Sequence, residues 1–515
     1  MSLITTLARF EAVRDGRARP VATVRHRHLA ERPLVLVPLT TAGETGAPLG
    51  ALVGTERTAP RLLTVCQPRD RDQRAAFLAA LAEEVLPHIE GFAAEVTTEE
   101  RTETDPATGR RTPVRVELCT DAPQLLVPSA AGVEYVRLLG RSMRFRRTAE
   151  QDPAAAFPAP PRVPMLGRWL THFAERAQVP GSSLLLSMTG LLTRHWATGQ
   201  SPLEDQHLGS LLAWIDPPDG LSGAEAALRV ELERDAEGLL CHPPAGPATD
   251  PAFDNKRLAP ALARYDRARA VGRGVERAAA EMAELLATQL RPAWDAVWHG
   301  LDLLRALPEG AHVAERWKRD RWSYTAHRDR IRAGEPPQPR RDDAVTAARK
   351  LASRETAQAR LEAQEALDDP LVMAGRRLAG EAFAGEVTAV VMEYTEAKVP
   401  RPRPLVTVRT EDAPHLAEGA RVHRLLADGR TQTGEFTAAG PDRLTVRLTG
   451  GMGRGRQPEP GTVPEPGERV CWTLFEHAPR GGPALPEPEH TPWTHGGPPG
   501  AMADEPDPVT AEDYL

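Results

Sequence analysis

Residues 34–66 read LVLVPLTTAGETGAPLGALVGTERTAPRLLTVC, and this stretch decides the fold of the first part of the chain. Residues 34–37 and 62–66 are short apolar runs rich in branched side chains, which is typical of buried strands. The glycines between them, together with Pro48, predict turns on either side of a short strand at residues 51–53.

Outward from this stretch, the pattern continues to alternate between strand and helix. Apolar residues at three- and four-residue spacing predict a helix over residues 71–89. Strand-like runs follow at residues 114–119 and 125–127, and Ser129 is a candidate cap for the next helix. Residues 1–150 are therefore predicted to form a mixed α/β domain.

The apolar period then changes. Residues 149–164 form a proline-rich connector, after which apolar residues recur with helical spacing and strand signals disappear. We therefore predict an all-α domain over residues 165–333. A second proline-rich connector leads into a long connecting helix at residues 342–380, whose thin apolar stripe predicts that it projects from the rest of the chain.

The last part of the chain has the pattern of a small β-barrel, predicted over residues 381–476. Short strand candidates alternate with glycine turns, at residues 386–392, 405–409, 421–426, 434–437, 443–448 and 470–475. Residues 477–515 are rich in proline, glycine and acids, and predict a disordered acidic tail. The fold class predicted is multidomain α+β.

Composition excludes several classes of protein. The 515 residues carry a net charge of −7, and no apolar stretch reaches the roughly 18–20 residues that span a membrane. Four scattered cysteines and no secretory signal pattern favour a reducing cytoplasm. Only four of the 64 basic residues are lysine, a bias typical of a GC-rich bacterium.

Sequence motifs for catalysis are missing. The chain contains no GxxxxGK[ST] phosphate-binding loop, no GxSxG elbow and no HExxH zinc motif, so we expect no cofactor and no metal, and the sequence favours a non-catalytic protein. One catalytic alternative stays open, a metal-dependent nuclease centred on the N-terminal domain. Its candidate carboxylates are Glu83, Glu84, Glu117 and Asp121.

Basic clusters with interleaved aromatic residues are the strongest functional signal, because arginines neutralise phosphates and aromatic rings stack on unpaired bases. The first cluster, which contains no acid, comprises Arg137, Arg141, Arg144, Arg146 and Arg147. The second comprises Arg316, Trp317, Lys318, Arg319, Arg321, Trp322 and Tyr324. A glycine-rich loop adds Arg454 and Arg456. These residues predict nucleic-acid binding, with single strands favoured.

The order of elements in the C-terminal half suggests a family. A long polar helix at residues 342–367, then Asp369-Pro370-Leu371, then EAFAGEV at residues 381–387 opening a barrel, resembles the stalk-and-barrel element of superfamily-one helicases. That resemblance implies contact with single-stranded nucleic acid. Because the motor motifs are absent, it also implies an accessory protein whose helicase or ATPase partner is a separate chain, in DNA repair or anti-phage defence. A protein-interaction scaffold is the other alternative.

Overall fold

The computed structural model describes residues 3–104 and 110–479. They divide into two compact units. We call residues 9–20, 25–104 and 110–354 the sheet unit, and residues 3–8, 21–24 and 355–479 the barrel unit. The predicted multidomain α+β class is confirmed at this level.

The strands are β1 (Arg19–Pro20), β2 (Leu34–Thr41), β3 (Glu44–Gly54), β4 (Arg61–Thr64), β5 (Val96–Thr104), β6 (Arg111–Cys119), β7 (Leu125–Val127), β8 (Leu185–Ser187), β9 (Trp196–Ala197), β10 (Ala382–Val391), β11 (Leu405–Arg409), β12 (Arg421–Leu425), β13 (Thr431–Ala439), β14 (Arg443–Leu448) and β15 (Arg469–Thr473). The helices are α1 (Leu3–Asp15), α2 (Arg71–Gly91), α3 (Ala130–Met143), α4 (Val163–Ala177), α5 (Met188–Leu192), α6 (Leu208–Ile215), α7 (Gly223–Leu232), α8 (Pro251–Phe253), α9 (Ala259–Val271), α10 (Val275–Arg305), α11 (Val313–Arg332), α12 (Ala344–Asp368) and α13 (Pro370–Leu378).

A five-stranded mixed sheet lies at the centre of the sheet unit, in the order β4-β3-β2-β7-β8. Strand β2 pairs antiparallel with β3 and parallel with β7. Its apolar residues serve two cores, because Leu34 and Leu36 face one cluster while Val35 and Val37 face the other. A strand buried on both faces needs no polar alternation, which explains the unbroken apolar run.

Helices cover both faces of this sheet. The first core takes side chains from α2, α3, α4 and α11, and the second from α5, α6, α9 and α10. The separate all-α domain predicted at residues 165–333 is therefore not what the structure shows. Its β8 segment pairs with β7, and its helices cover the sheet formed by the preceding residues. Among the helices within residues 1–150, only α2 and α3 contribute to these cores, and both pack on the first face. The second face must therefore be covered by later helices.

Strand β3 also differs from the prediction of turns around a short strand. It runs for eleven residues and pairs along its length with β2 and β4. Gly50 allows a close approach between strands, because a Cβ there would collide with the carbonyl oxygen of Leu63. Gly50 thus allows β3 and β4 to pack closely and does not mark a turn.

Helix α10 is continuous through Pro292. The proline lacks an N–H and costs one backbone hydrogen bond. The second core holds Leu286 and Leu290 before the proline, and Trp294 and Val297 after it, so packing of both halves favours one helix. Over residues 3–104 and 110–479, every helix is too short or too polar to cross a lipid bilayer.

The barrel unit contains a closed six-stranded antiparallel barrel, in the order β10-β11-β14-β13-β12-β15, which confirms the predicted barrel. Phe383 and Trp472 are fully buried in its core. The single helix predicted at residues 342–380 is broken at Asp369, whose carboxylate accepts a hydrogen bond from the backbone N–H of Leu371 and caps α13. His477, assigned to the tail, is buried and lies 3.0 Å from the hydroxyl of Thr473. Residues 480–515 of the predicted tail lie outside the described residues.

Two buried histidines stack between α4 and α11. The rings of His172 and His327 are 4.2 Å apart and nearly parallel, and Trp169 packs edge-on against His327. Burial lowers the pKa of His327 to about 3 and lowers that of His172 well below its usual value. Both rings are therefore neutral at physiological pH, since charging either one would place a cation in the core.

Stability should consequently fall in mild acid. In the unfolded chain these histidines take up protons below about pH 6.5, while the folded protein resists protonation until the pH is much lower. Replacing His327 with phenylalanine keeps an aromatic ring in the stack and removes the titration. The loss of unfolding free energy between about pH 7.5 and pH 5 should shrink by about 2 kcal/mol in this variant.

Tryptophan fluorescence during urea unfolding reports this change, because seven of the nine tryptophans lie among the described residues of the sheet unit. His242→Phe is the control, since His242 is exposed and sits beside Glu233. An unchanged pH dependence in His327→Phe would contradict the assignment.

Candidate nucleic-acid interface

Helix α11, which carries the second predicted cluster, is an interior helix. Arg316, Trp317 and Tyr324 are 2%, 7% and 0% exposed. The indole N–H of Trp317 donates to Asp121 Oδ1 at 2.8 Å, and its ring stacks on His28. The Tyr324 hydroxyl donates to the carbonyl oxygen of Ile89 at 2.6 Å.

These positions overturn the stacking role predicted for two aromatic residues. Trp317 and Tyr324 belong to the first core, where no base can reach their faces. Arg316 donates to the backbone carbonyl of His26 at 3.0 Å, so its guanidinium is likewise committed inside the protein. Helical spacing of aromatic residues here marks core packing.

The rest of the second cluster is also engaged in the fold. Lys318 forms an ion pair with Glu99 at 2.6 Å, and Arg321 Nε donates to the carbonyl of Cys119 at 3.0 Å. Arg319 and Trp322 are half-buried. The second cluster therefore offers no continuous surface to a polyanion.

Asp320 anchors α11 from within the same segment. It is fully buried and accepts hydrogen bonds from Arg176 Nη2 at 2.9 Å, Ser182 Oγ at 2.8 Å and the backbone N–H of Ser183 at 2.6 Å. Three donors satisfy the carboxylate, and the arginine balances its charge. This arrangement ties α11 to the segment that leads into β8.

The first cluster lies on the C-terminal half of α3 and just after it. Arg137 pairs with Glu134 at 2.7 Å, and Arg147 lies 3.8 Å from Asp152. Arg144 is buried and donates to the carbonyl oxygens of Gln338 and Arg141, both at 2.9 Å. Arg144 therefore binds the carbonyl group of Arg141 near the C-terminus of α3, where cations are favoured.

The tertiary structure extends this cluster into a cleft of about 410 Å³, which we call the Arg141 cleft. Its cations come from α3, from the second proline-rich connector and from α12. They are Arg137, Arg141, Arg144, Arg340, Lys350 and Arg354. Three carboxylates face them, those of Glu134, Glu175 and Asp342. Positive charge therefore predominates in the cleft of a protein whose net charge is −7.

Partners inside the cleft reduce this charge only in part. Asp342 accepts two hydrogen bonds from Lys350 Nζ, at 2.6 and 2.8 Å. Burial raises the pKa of Glu175 above its usual value. Within the described residues, Arg354 lies more than 4 Å from every carboxylate oxygen, so its charge faces the cleft uncompensated.

A second cavity, of about 510 Å³, opens beside α3, and we call it the Phe145 cavity. Its walls include apolar side chains, among them Leu78, Leu138, Leu139, Phe145 and Phe157. Four arginines line it as well, namely Arg71, Arg74, Arg146 and Arg147, against one carboxylate, Asp152. The cavity thus combines an apolar interior with an excess of positive charge.

Phe145 connects the two sites. The guanidinium carbons of Arg144 and Arg340 lie 4.6 and 4.2 Å from the centre of its ring. Both arginines line the Arg141 cleft, while the same ring lines the Phe145 cavity. One aromatic side chain therefore separates the cleft from the cavity.

Arg454 and Arg456 are exposed on a loop of the barrel unit. The neighbouring Met452 is buried in the barrel core and anchors this loop. Thr462, at the far end of the loop, accepts a hydrogen bond from the buried Gln432 through its carbonyl oxygen at 2.7 Å. The two arginines are therefore presented on a loop that is fixed at both ends.

Three of the four carboxylates of the nuclease alternative have other partners, and the fourth, Glu83, is exposed on α2. Glu84 pairs with Arg61, Asp121 accepts from Trp317, and Glu117 lies 3.7 Å from Arg328. In the part of the chain that the structure describes, no group of three or more histidine, cysteine, aspartate or glutamate side chains is arranged to hold a metal ion. The predicted nuclease centre thus has no assembled ligand set among these residues.

Several residues of the two sites escaped sequence reasoning. Arg71 and Arg74 are separated by three positions at the start of α2, and Lys350 and Arg354 by four on α12. Such spacing places each pair on one helix face, which is the signal that sequence can supply. Their convergence with α3 depends on tertiary packing.

No protein-family model, curated protein or solved structure matches this chain. The functional argument therefore depends on the geometry described above.

The interior assignment of α11 predicts unequal effects for two substitutions on that helix. Asp320→Asn removes the charge that Arg176 and two further donors share, and should lower the unfolding free energy by about 2–3 kcal/mol. Lys318→Ala removes a solvent-exposed ion pair and should cost less than about 1 kcal/mol. Urea unfolding of both variants measures the difference, and equal stabilities would refute an interior role for Asp320.

Proposed function

We propose that this chain is a non-catalytic nucleic-acid-binding protein, and that the Arg141 cleft receives the sugar-phosphate backbone. The observation that carries the proposal is the convergence of six cations from α3, the connector and α12 on a single cleft. Single strands are the favoured ligand, since an unpaired backbone can follow a narrow, concave site.

Charge focusing supports this proposal. A cleft lined mainly by one sign of charge concentrates its field, and so attracts a polyanion even when the whole protein is acidic. Arg137 and Arg141 lie four residues apart on one face of α3, and Arg354 lines the same cleft from α12. Together they can neutralise successive phosphates.

Rigid placement of the buried arginine adds to the support. Arg144 donates hydrogen bonds to backbone carbonyl groups, so it contributes positive charge to the cleft without contacting the ligand directly. Because these hydrogen bonds exist before any ligand arrives, the positive field costs little further ordering on binding.

An accessory role with a helicase or ATPase partner, in repair or defence, remains part of the proposal. The chain has no GxxxxGK[ST] loop, and a long helix, α12, precedes its closed barrel, which is the order of elements that underlies the resemblance to the stalk-and-barrel element. The barrel loop bearing Arg454 and Arg456 is the part of the barrel unit that we assign to nucleic acid in this role.

Fluorescence polarisation with labelled single- and double-stranded oligonucleotides across a salt series tests the binding. The logarithm of the association constant should fall linearly with the logarithm of salt concentration, with a slope of about 0.7 per phosphate contact for a single strand. Neutralising two cations in Arg141→Gln/Arg354→Gln should weaken binding at least about tenfold at about 50 mM salt and flatten the slope.

The matched control is Arg264→Gln/Arg277→Gln. It removes the same charge from exposed positions on α9 and α10, near Glu281, and should leave affinity nearly unchanged. Absence of binding at about 50 mM salt would eliminate the proposal. Stable capture of a protein partner without oligonucleotide affinity would favour the scaffold alternative.

A further inference from the structure

We propose that the Phe145 cavity binds one unpaired nucleotide, with the base against its apolar wall and the phosphate at its arginines. This inference rests on the proposed function for the class of ligand. It assigns to the cavity a role that the Arg141 cleft cannot perform, because the cleft is lined mainly by polar and charged groups.

The size and lining of the cavity fit such a ligand. A volume of about 510 Å³ lies within the range of small-molecule sites, which is roughly 300–1,000 Å³. Leu78, Leu138 and Leu139 supply an apolar wall from α2 and α3. A nucleobase buries its faces against such a wall while its polar edges stay near the opening.

The lining of the cavity also includes a flat surface on which a base can stack. The guanidinium carbon of Arg71 lies 3.1 Å above the ring of Phe157, and this ring is 66% exposed. Unpaired bases stack on aromatic rings and on guanidinium planes alike. An exposed phenylalanine paired with an arginine therefore provides a surface that a base can extend.

Charge in the cavity is available to a phosphate. Within the described residues, neither Arg71 nor Arg74 has a carboxylate oxygen within 4 Å, although both line the cavity. Asp152 is the single carboxylate of the lining and lies beside Arg147, at 3.8 Å. Two guanidinium groups on consecutive turns of α2 can hold a terminal phosphate by charge-assisted hydrogen bonds.

Calorimetric titration with thymidine 5′-monophosphate, thymidine and inorganic phosphate tests the cavity on the full chain. The monophosphate should bind at one site, at least about tenfold more tightly than either thymidine or phosphate, because base stacking and phosphate pairing each contribute. Equal affinity for inorganic phosphate would reduce the site to an anion site and overturn the proposal, as would undetectable binding of the monophosphate.

Two neighbouring alanines make a matched pair of variants. Ala155 lines the cavity, so Ala155→Trp should fill it and weaken monophosphate binding at least about tenfold. Ala156 is exposed and outside the lining, so Ala156→Trp should bind as the parent does. Arg74→Gln supplies an independent variant that removes charge without filling space. Retained affinity in both Ala155→Trp and Arg74→Gln would overturn the assignment.

Binding measurements with an oligonucleotide distinguish this proposal from the proposed function of the Arg141 cleft. Arg141→Gln/Arg354→Gln should weaken binding of a single-stranded oligonucleotide and leave binding of the monophosphate unchanged. Ala155→Trp should weaken binding of the monophosphate at least about tenfold. It should weaken binding of the oligonucleotide only when the strand end carries an unpaired 5′-phosphorylated nucleotide. Binding of the monophosphate without any oligonucleotide binding would support the cavity and defeat the cleft, identifying a free nucleotide as the ligand.

Discussion

The fold of the sheet unit depends on one constraint, which is that β2 carries apolar side chains on both faces. Leu34 and Leu36 must be covered from one side, and Val35 and Val37 from the other. Helices α2 and α3 come early in the chain and serve the first face together with α4 and α11. The second face is covered by α5, α6, α9 and α10, so residues far along the chain are drawn into the same unit. The position of α3, with its cluster of arginines at the rim of the sheet, follows from this layering.

Local patterns predict the fold where the interactions are local, and fail where they are not. The barrel could be predicted because its short strands alternate with glycine turns, although only three of its six strand pairings join neighbours in sequence. Ser129 occupies the N-cap position of α3, but its hydroxyl donates to the carbonyl oxygen of Gly246 and does not cap the helix. By contrast, β8 is three residues long and pairs with β7 across about sixty residues of chain, so no local signal reveals it. Gly50 was misread because its role is the approach of β4, which sequence does not display.

The candidate site divides along the same line. A contiguous run of arginines without acids marked the first cluster correctly as a concentration of charge, but Arg340 and Arg354 join it only after folding. The second cluster has a similar composition, but its residues are engaged inside the fold. Several of its polar groups meet internal partners, such as the Tyr324 hydroxyl at the carbonyl of Ile89, and the neighbouring Asp320 lies among three donors. An amphipathic tyrosine or tryptophan suits a core whose edges offer acceptors as well as it suits a base, so residue type alone does not separate the two uses.

The arrangement around Phe145 gives the two sites a physical relation. Arg144 and Arg340 both contact its ring, and the ring also forms part of the neighbouring cavity wall. Moving this side chain would therefore disturb two cation–π contacts that help to define the cleft. Helix α3 contributes residues to both the cleft and the cavity, and it lies where it does because its buried face packs against the sheet beneath it.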